Sequence, residues 1–187
     1  TSMNLSTTKR EPLFIKRVDA YGLNLPLNKT VLMAGVELNT VENLLIRIEA
    51  SNGLVGWGEA SSAPSHGGAS LQDMLASFHQ EIHPFLISKD AFELSGLSNQ
   101  LNALAKDAKS TVAAVDVALY DLIGKYLNVP VYVLLGGQQR KEVPPLWLIG
   151  NSSIEKDLSE AESKWAQGYR FFKLKLGVKS LDDDIEL

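Results

Sequence analysis

The sequence predicts an α+β region followed by a βαβ unit with parallel strands, and three observations carry this. Asn52-Gly53 lies between two alternating apolar segments, an early hairpin signal, and helical periodicities follow it. Residues 110–126 carry an apolar stripe at Val112, Val115, Leu119, Leu122, Ile123 and Tyr126, the spacing of one helix face. Residues 143–149, 153–167 and 169–176 then read as strand, helix and strand. That unit implies parallel pairing through a right-handed crossover.

In chain order, 12–20 is a first strand and 21–38 a loop-like stretch punctuated by Gly22, Pro26 and Gly35. Residues 42–50 form a second strand, Asn52-Gly53 a two-residue type I′ turn, and 54–60 the antiparallel return. A small-residue loop follows over 61–68. Helical periodicity covers 70–83 and 91–105, separated by Pro84, with Asp90 placed to cap the second helix. Ser110 is positioned to cap the third helix, which Asn128 and Pro130 stop. Residues 130–137 are a compact apolar segment closed by Gly136-Gly137, and a further helix opens at Asp182.

The 187 residues suffice for one large domain or two small ones, and 45% apolar with 21% charged residues is an ordinary soluble composition. A net charge of −4 with scattered basic residues gives no nucleic-acid surface. The absence of cysteine excludes disulfides, thiolate metal sites and cysteine nucleophiles, and fits an expected cytoplasmic location. Residues 1–16 lack a signal-peptide core, and no run approaches the ~18 apolar residues of a membrane span. Thr1-Ser2 ahead of Met3 reads as tag-like, and residues 1–11 as a disordered N-terminus.

The segment with most chemical content is 171–177, Phe-Phe-Lys-Leu-Lys-Leu-Gly. Strand alternation puts Phe172, Leu174 and Leu176 on one face and Phe171, Lys173 and Lys175 on the other. The two lysine Cα atoms would stand about 6–7 Å apart. On a face open to water this is a solvated pair. Inside a closed barrel, like charge and desolvation would both disfavour the ammonium form, making one amine a usable base.

Other candidates have bland readings. Gly53, Gly56 and Gly58 lack the order of a nucleotide-binding loop and fall on a hairpin. His79 and His83 have zincin spacing, but Gln80 stands where that motif needs glutamate. His66 lies in a Gly/Ser loop with no evident partner. Asp116, Asp121 and Lys125 flank the long helix's apolar stripe and read as structural pairs. Asp182, Asp183 and Asp184 suit a helix N-terminus better than a shared ion. Glu59 is either structural or site-lining.

Several segments together resemble the enolase superfamily, in its mandelate racemase/muconate-lactonizing branch. They are 44–60 with Gly56-Trp57-Gly58-Glu59-Ala60, 113–125 with Asp116 and Asp121, 130–137 ending in Gly136-Gly137, and Lys173-Leu174-Lys175. The Lys-x-Lys motif is most similar to the muconate cycloisomerase and dipeptide epimerase subgroup. The resemblance implies an α+β capping domain over 12–137. It is followed over 138–187 by the first βαβ of a modified (β/α)8 TIM-like barrel, incomplete in this chain. It further implies an isomerase or lyase that removes a proton α to a carboxylate and forms an enediolate stabilised by Mg²⁺. Lys175 would be the general base or acid, with Lys173 deeper and positioning the carboxylate. Leu27, Thr30 and Met33, in the capping loop 25–35, and Glu59 would contact substrate. The metal ligands belong to later strands, so no metal ligand is assigned in this chain, and tight Mg²⁺ binding by it alone is not expected. The implied partners are a small carboxylate substrate and a second copy of the complete enzyme, with no nucleic acid or membrane. The alternative reading is a non-catalytic capping-type association module.

Overall fold

The computed structural model describes residues 10–33, 36–150, 153–177 and 180–186; most of the tag-like N-terminal segment lies outside them. The chain divides into two compact units, one of Thr1–Val31 and Leu38–Gly137, the other of Leu32–Glu37 and Gln138–Leu187.

A three-stranded sheet is built from β1 (Ile15–Met33), β2 (Val36–Ala50) and β3 (Val55–Ser61), in the order β1-β2-β3. The loop expected over 21–38 is thus strand on either side of residues 34 and 35. Its punctuation misleads because β1 is an edge strand, where Pro26 removes no essential ladder bond. Little of this stretch is buried: Leu23, Leu27 and Val31 are half-buried and Leu25 is exposed, although Leu23, Leu25 and Leu27 alternate with Asn24, Pro26 and Asn28. Further along β2 the alternation is strict, with Leu44, Ile46, Ile48 and Ala50 fully buried.

β2 pairs antiparallel with β3 from Asn43↔Ser61 to Glu49↔Val55. The turn between them is not type I′, which needs positive φ at both central residues. Gly53 has φ +86°, but Asn52 does not have a positive φ. The Ala50 N–H donates to Leu54 O, enclosing three residues, and the Gly53 N–H donates to Ala50 O. Asn52 instead uses its side-chain oxygen to accept from the Leu54 N–H at 3.1 Å, a local bond open to asparagine at this place.

Ser70 caps α1 (Leu71–Ser77) in a reciprocal box with Asp73. The helix does not stop at Pro84. A π-turn over Phe78–Ile82, in which the His83 N–H reaches Phe78 O, leads into α2 (His83–Leu86). The widened turn sits immediately before the proline, where the ring would crowd a regular α-helical turn. α3 (Leu94–Leu104) follows, then α4 (Lys109–Leu127) and the short α5 (Val131–Leu134). The α4 stripe is buried at Val112, Val115, Leu119, Leu122 and Ile123; Tyr126 emerges at its end, edge-on to Phe92. Ser110 lies inside the first turn rather than capping it. Asn128, at φ 54°, closes the helix by donating its N–H to Gly124 and Lys125 carbonyls.

β3 meets α4 through bare backbone. Gly56 and Gly58 are buried while Trp57 and Glu59 face away. A methyl group on Gly58 would overlap the Ala114 carbonyl oxygen, and one on Gly56 would overlap that of Ala118. The glycine pair therefore sets how closely the sheet approaches the helix. Asp121 and Lys125 reinforce the same seam: Asp121 accepts from the Trp57 N–H at 2.8 Å, and the Lys125 ammonium donates to Val55 O at 3.0 Å.

Asp90 does not cap α3, whose N-cap is Glu93. Its carboxylate accepts from the N–H groups of Leu13 and Phe92 and pairs with Arg10 at 2.5 Å. Burial opposes its ionisation, but the Arg10 guanidinium and the two N–H donors outweigh that and hold its pKa below the usual carboxylate value. A depressed folded pKa stabilises fully above the unfolded value of ~3.9 and is lost as pH falls through the folded pKa. Asp90→Ala should cost about 2 kcal/mol at pH 7. The thermal-stability gap between variant and wild type should narrow as pH falls from the unfolded value of ~3.9 through the lower folded pKa; an equal gap at pH 7 and in acid would refute the ionic account.

In the second unit, β4 (Leu146–Ile149) pairs parallel with β5 (Phe171–Leu174), joined through α6 (Ile154–Ala166). Ser153 caps α6 by accepting from the Lys156 N–H. The last element is α7 (Leu181–Glu186). Asp184 accepts the Gly177 N–H at 2.6 Å and so braces the turn after β5.

Candidate active site

The register of β4 and β5 decides which side chains share a face. Leu146 pairs with Phe171, Trp147 with Phe172, Leu148 with Lys173, and Ile149 with Leu174. The ladder continues one step, because the Lys175 N–H donates to Ile149 O at 2.9 Å. Alternation then gives one face with Trp147, Ile149, Phe172 and Leu174, and another with Leu146, Leu148, Gly150, Phe171, Lys173 and Lys175.

α6 covers the first face. The Trp147 indole N–H donates to Glu160 at 3.2 Å, the Lys164 ammonium lies 3.8 Å from the Trp147 ring centre, and Ile149 is buried. Lys173 and Lys175 stand on the opposite face, away from α6. Leu146 there is 56% exposed and Phe171 54%, against 2% for Ile149. Lys173 is exposed and Lys175 half-buried. The latter's stem lies against Gly150: a Cβ on that glycine would come 2.8 Å from Lys175 Cβ and 3.3 Å from its Cδ.

The remaining predicted residues are in the sheet. Leu27 is half-buried on β1, and the Thr30 hydroxyl donates to Asn39 Oδ1 at 2.5 Å. Met33 ends β1; its side chain lies outside the described residues. Glu59, exposed on β3, accepts from Asn43 Nδ2 at 2.5 Å. Asn39 and Asn43 are four residues apart on β2, so the anchors of Thr30 and Glu59 are about 13 Å apart along the strand. Two residues in this geometry escaped sequence reasoning. Asn43 could have been found only from the β2–β3 register, and Gly150 only from the β4–β5 register.

His79 is exposed and His83 half-buried, and both rings stand edge-on to Phe78. The His66 and Asp183 side chains lie outside the described residues. Burial raises the Asp116 pKa, partly opposed by a hydrogen bond from Ser98. Among the described residues no three His, Asp or Glu side chains converge to hold a cation, so those present do not fit Mg²⁺. No helix among them is long and apolar enough to cross a membrane.

Residues 21–136 match the family described as mandelate racemase / muconate lactonizing enzyme, N-terminal domain. The chain is 32% identical over 180 residues to muconate cycloisomerase 1 of Rhodococcus opacus, covering 93% of this chain and 47% of that protein. It is 25% identical over 169 residues to N-succinyl-L-Arg/Lys racemase of Bacillus cereus, covering 90% and 46%. The crystal structure of that racemase superposes with a TM-score of 0.87 over 92% of this chain and 47% of the other. A dipeptide epimerase from Methylococcus capsulatus, complexed with Mg and the dipeptide L-Arg-D-Lys, superposes at 0.84 with 28% identity, over 92% and 48%. The chain spans about half the length of the curated relatives it matches. An antiparallel sheet with Gly56 and Gly58 closed on a long helix, a strand–helix–strand unit after it and the matched residues agree: the chain belongs to the mandelate racemase/muconate lactonizing enzyme family of the enolase superfamily.

Proposed function

We propose that this chain is the N-terminal part of an isomerase or lyase that removes the proton α to a carboxylate. Residues 12–137 act as the capping domain and 138–187 begin the barrel. The supporting observation is the lysine pair on the face of β4–β5 that α6 leaves open. In a (β/α) barrel the helices cover the outside, so the face away from α6 looks inward, and reactions occur at the C-terminal strand ends. Lys175 follows the last residue of β5, and Lys173 precedes it by one alternation.

In this reading the Lys175 amine takes the α-proton from one side of the substrate. Lys173, two residues deeper, offers its ammonium to the carboxylate. Leu146, Leu148 and Phe171 supply apolar walls on the same face. Leu27, Thr30, Met33 and Glu59 remain candidates for substrate contact. Mg²⁺, present in the dipeptide epimerase structure, would be held by residues outside this chain.

The relatives' names define a panel: an N-succinylamino acid, a dipeptide and muconolactone. A full-length protein carrying this chain, incubated in D₂O with Mg²⁺, should exchange the α-hydrogen of at least one of them, followed by NMR. Retention of α-hydrogen in all three would remove the proposal's support.

A further inference from the structure

Gly150 has no Cβ where a neighbouring strand needs the space. It sits one residue beyond β4, directly across the ladder from Lys175. Neighbouring strands lie about 4.7–4.9 Å apart, and facing side chains normally start from that separation. Here a Cβ at position 150 would be only 2.8 Å from Lys175 Cβ, with Cγ and Cδ at 3.6 and 3.3 Å. The lysine stem therefore leans across the glycine backbone and occupies the volume a side chain would fill. Lys175 Cβ is fixed by its own backbone, so a methyl group at 150 cannot be accommodated by swinging a distant flexible end. It must separate the strand ends or turn the stem away.

We propose that Gly150 is a positioning residue for Lys175: the missing side chain lets the stem cross β4 and fixes where the amine points. This rests on the reading of Lys175 as the proton-transfer group. Its signature is that Gly150 acts only through the lysine stem. A displacement of about 1 Å in a reacting group can cost roughly 100-fold in rate.

The test uses Gly150→Ala, Lys175→Gly and the double variant in a full-length protein carrying this chain. N-succinyl-L-arginine, L-Ala-L-Glu and muconolactone serve as probes of α-hydrogen exchange, with butylamine added to replace the amine removed at position 175. Gly150→Ala should lower kcat by roughly 10- to 100-fold while KM moves less than about 2-fold. In the Lys175→Gly background, butylamine should restore the same rate whether residue 150 is glycine or alanine, because no stem remains to be displaced. Should Gly150→Ala fail to fold, the double variant should fold, since the clashing Cβ is gone. Exchange by Gly150→Ala within about 2-fold of wild type would overturn the inference. So would a further loss in the double variant, or failure of that variant to fold. If Lys175→Gly retains full exchange without amine, or wild type exchanges none of the probes, the proposed function itself falls. Loss of exchange in Lys175→Gly with none in Gly150→Ala would refute the role of Gly150 alone.

Discussion

Gly58→Ala should unfold or severely destabilise the N-terminal unit, with a loss of about 3 kcal/mol or more. A core overpacked by one methyl group usually relaxes through rotamer changes. This site cannot, because the obstructing atom is the Ala114 carbonyl oxygen of a hydrogen-bonded helix. Relief requires β3 to move off α4. That would stretch the Trp57 N–H bond to Asp121 and the Lys125 bond to Val55, and loosen β2, whose Leu44, Ile46 and Ile48 lie beside β3 in the same core. Gly56→Ala faces the Ala118 carbonyl and Leu122 and should behave alike. Gly53→Ala serves as a control: space is open around it, so its cost is that of a positive φ alone, about 1 kcal/mol. Denaturant unfolding of the three variants checks the order. A Gly58 variant as stable as the Gly53 variant would mean that strand and helix are not in backbone contact.

Lys175→Ala in a full-length protein carrying this chain should lower α-proton exchange by about 10²- to 10⁴-fold, the usual contribution of a positioned base. Lys173→Ala should act differently. Loss of an ammonium that holds the carboxylate raises KM as well as lowering kcat, because that contact contributes before the proton moves. Lys156, exposed on α6, supplies the comparison, and Lys156→Ala should change the rate less than 2-fold. Steady-state kinetics on one exchanging substrate separates the three. Equal, small effects at 173, 175 and 156 would show the pair to be ordinary surface charge.

Much of this was legible in the sequence because local chemistry and tertiary placement agree. The α4 stripe is buried as its spacing predicts from Val112 to Ile123, with Tyr126 emerging, and the βαβ unit forms with parallel pairing. The alternation of 171–175 assigns both lysines to one side, and register then tells which side. The strands over 21–38 were hidden for an equally physical reason: Gly22, Pro26 and Gly35 punctuate the alternating Leu23, Leu25 and Leu27 like a loop, and an edge strand tolerates proline. Pro84 misled because a widened turn can absorb a proline that a regular helix cannot. Gly53, Gly56 and Gly58 lack the order of a nucleotide-binding loop, yet the sequence also carries a steric meaning for the last two. Glycines two apart on a strand share a face, and Ala114 and Ala118 four apart on a helix form the small-residue groove that receives them. What no single segment could disclose was distance between partners far apart in sequence. Glu59 with Asn43, Asp90 with Arg10 and Gly150 with Lys175 all depend on register or on chain return.

The most direct measurement of the central claim is substrate protection of amines. A full-length protein carrying this chain is treated with an amine-acylating reagent, with and without a saturating exchanging substrate, and each lysine is quantified by mass spectrometry. Lys173 and Lys175 should both be shielded by substrate while Lys156 on α6 labels equally in the two samples. Equal labelling of all three, with and without substrate, would place the lysine pair away from the reacting carbon and contradict the account.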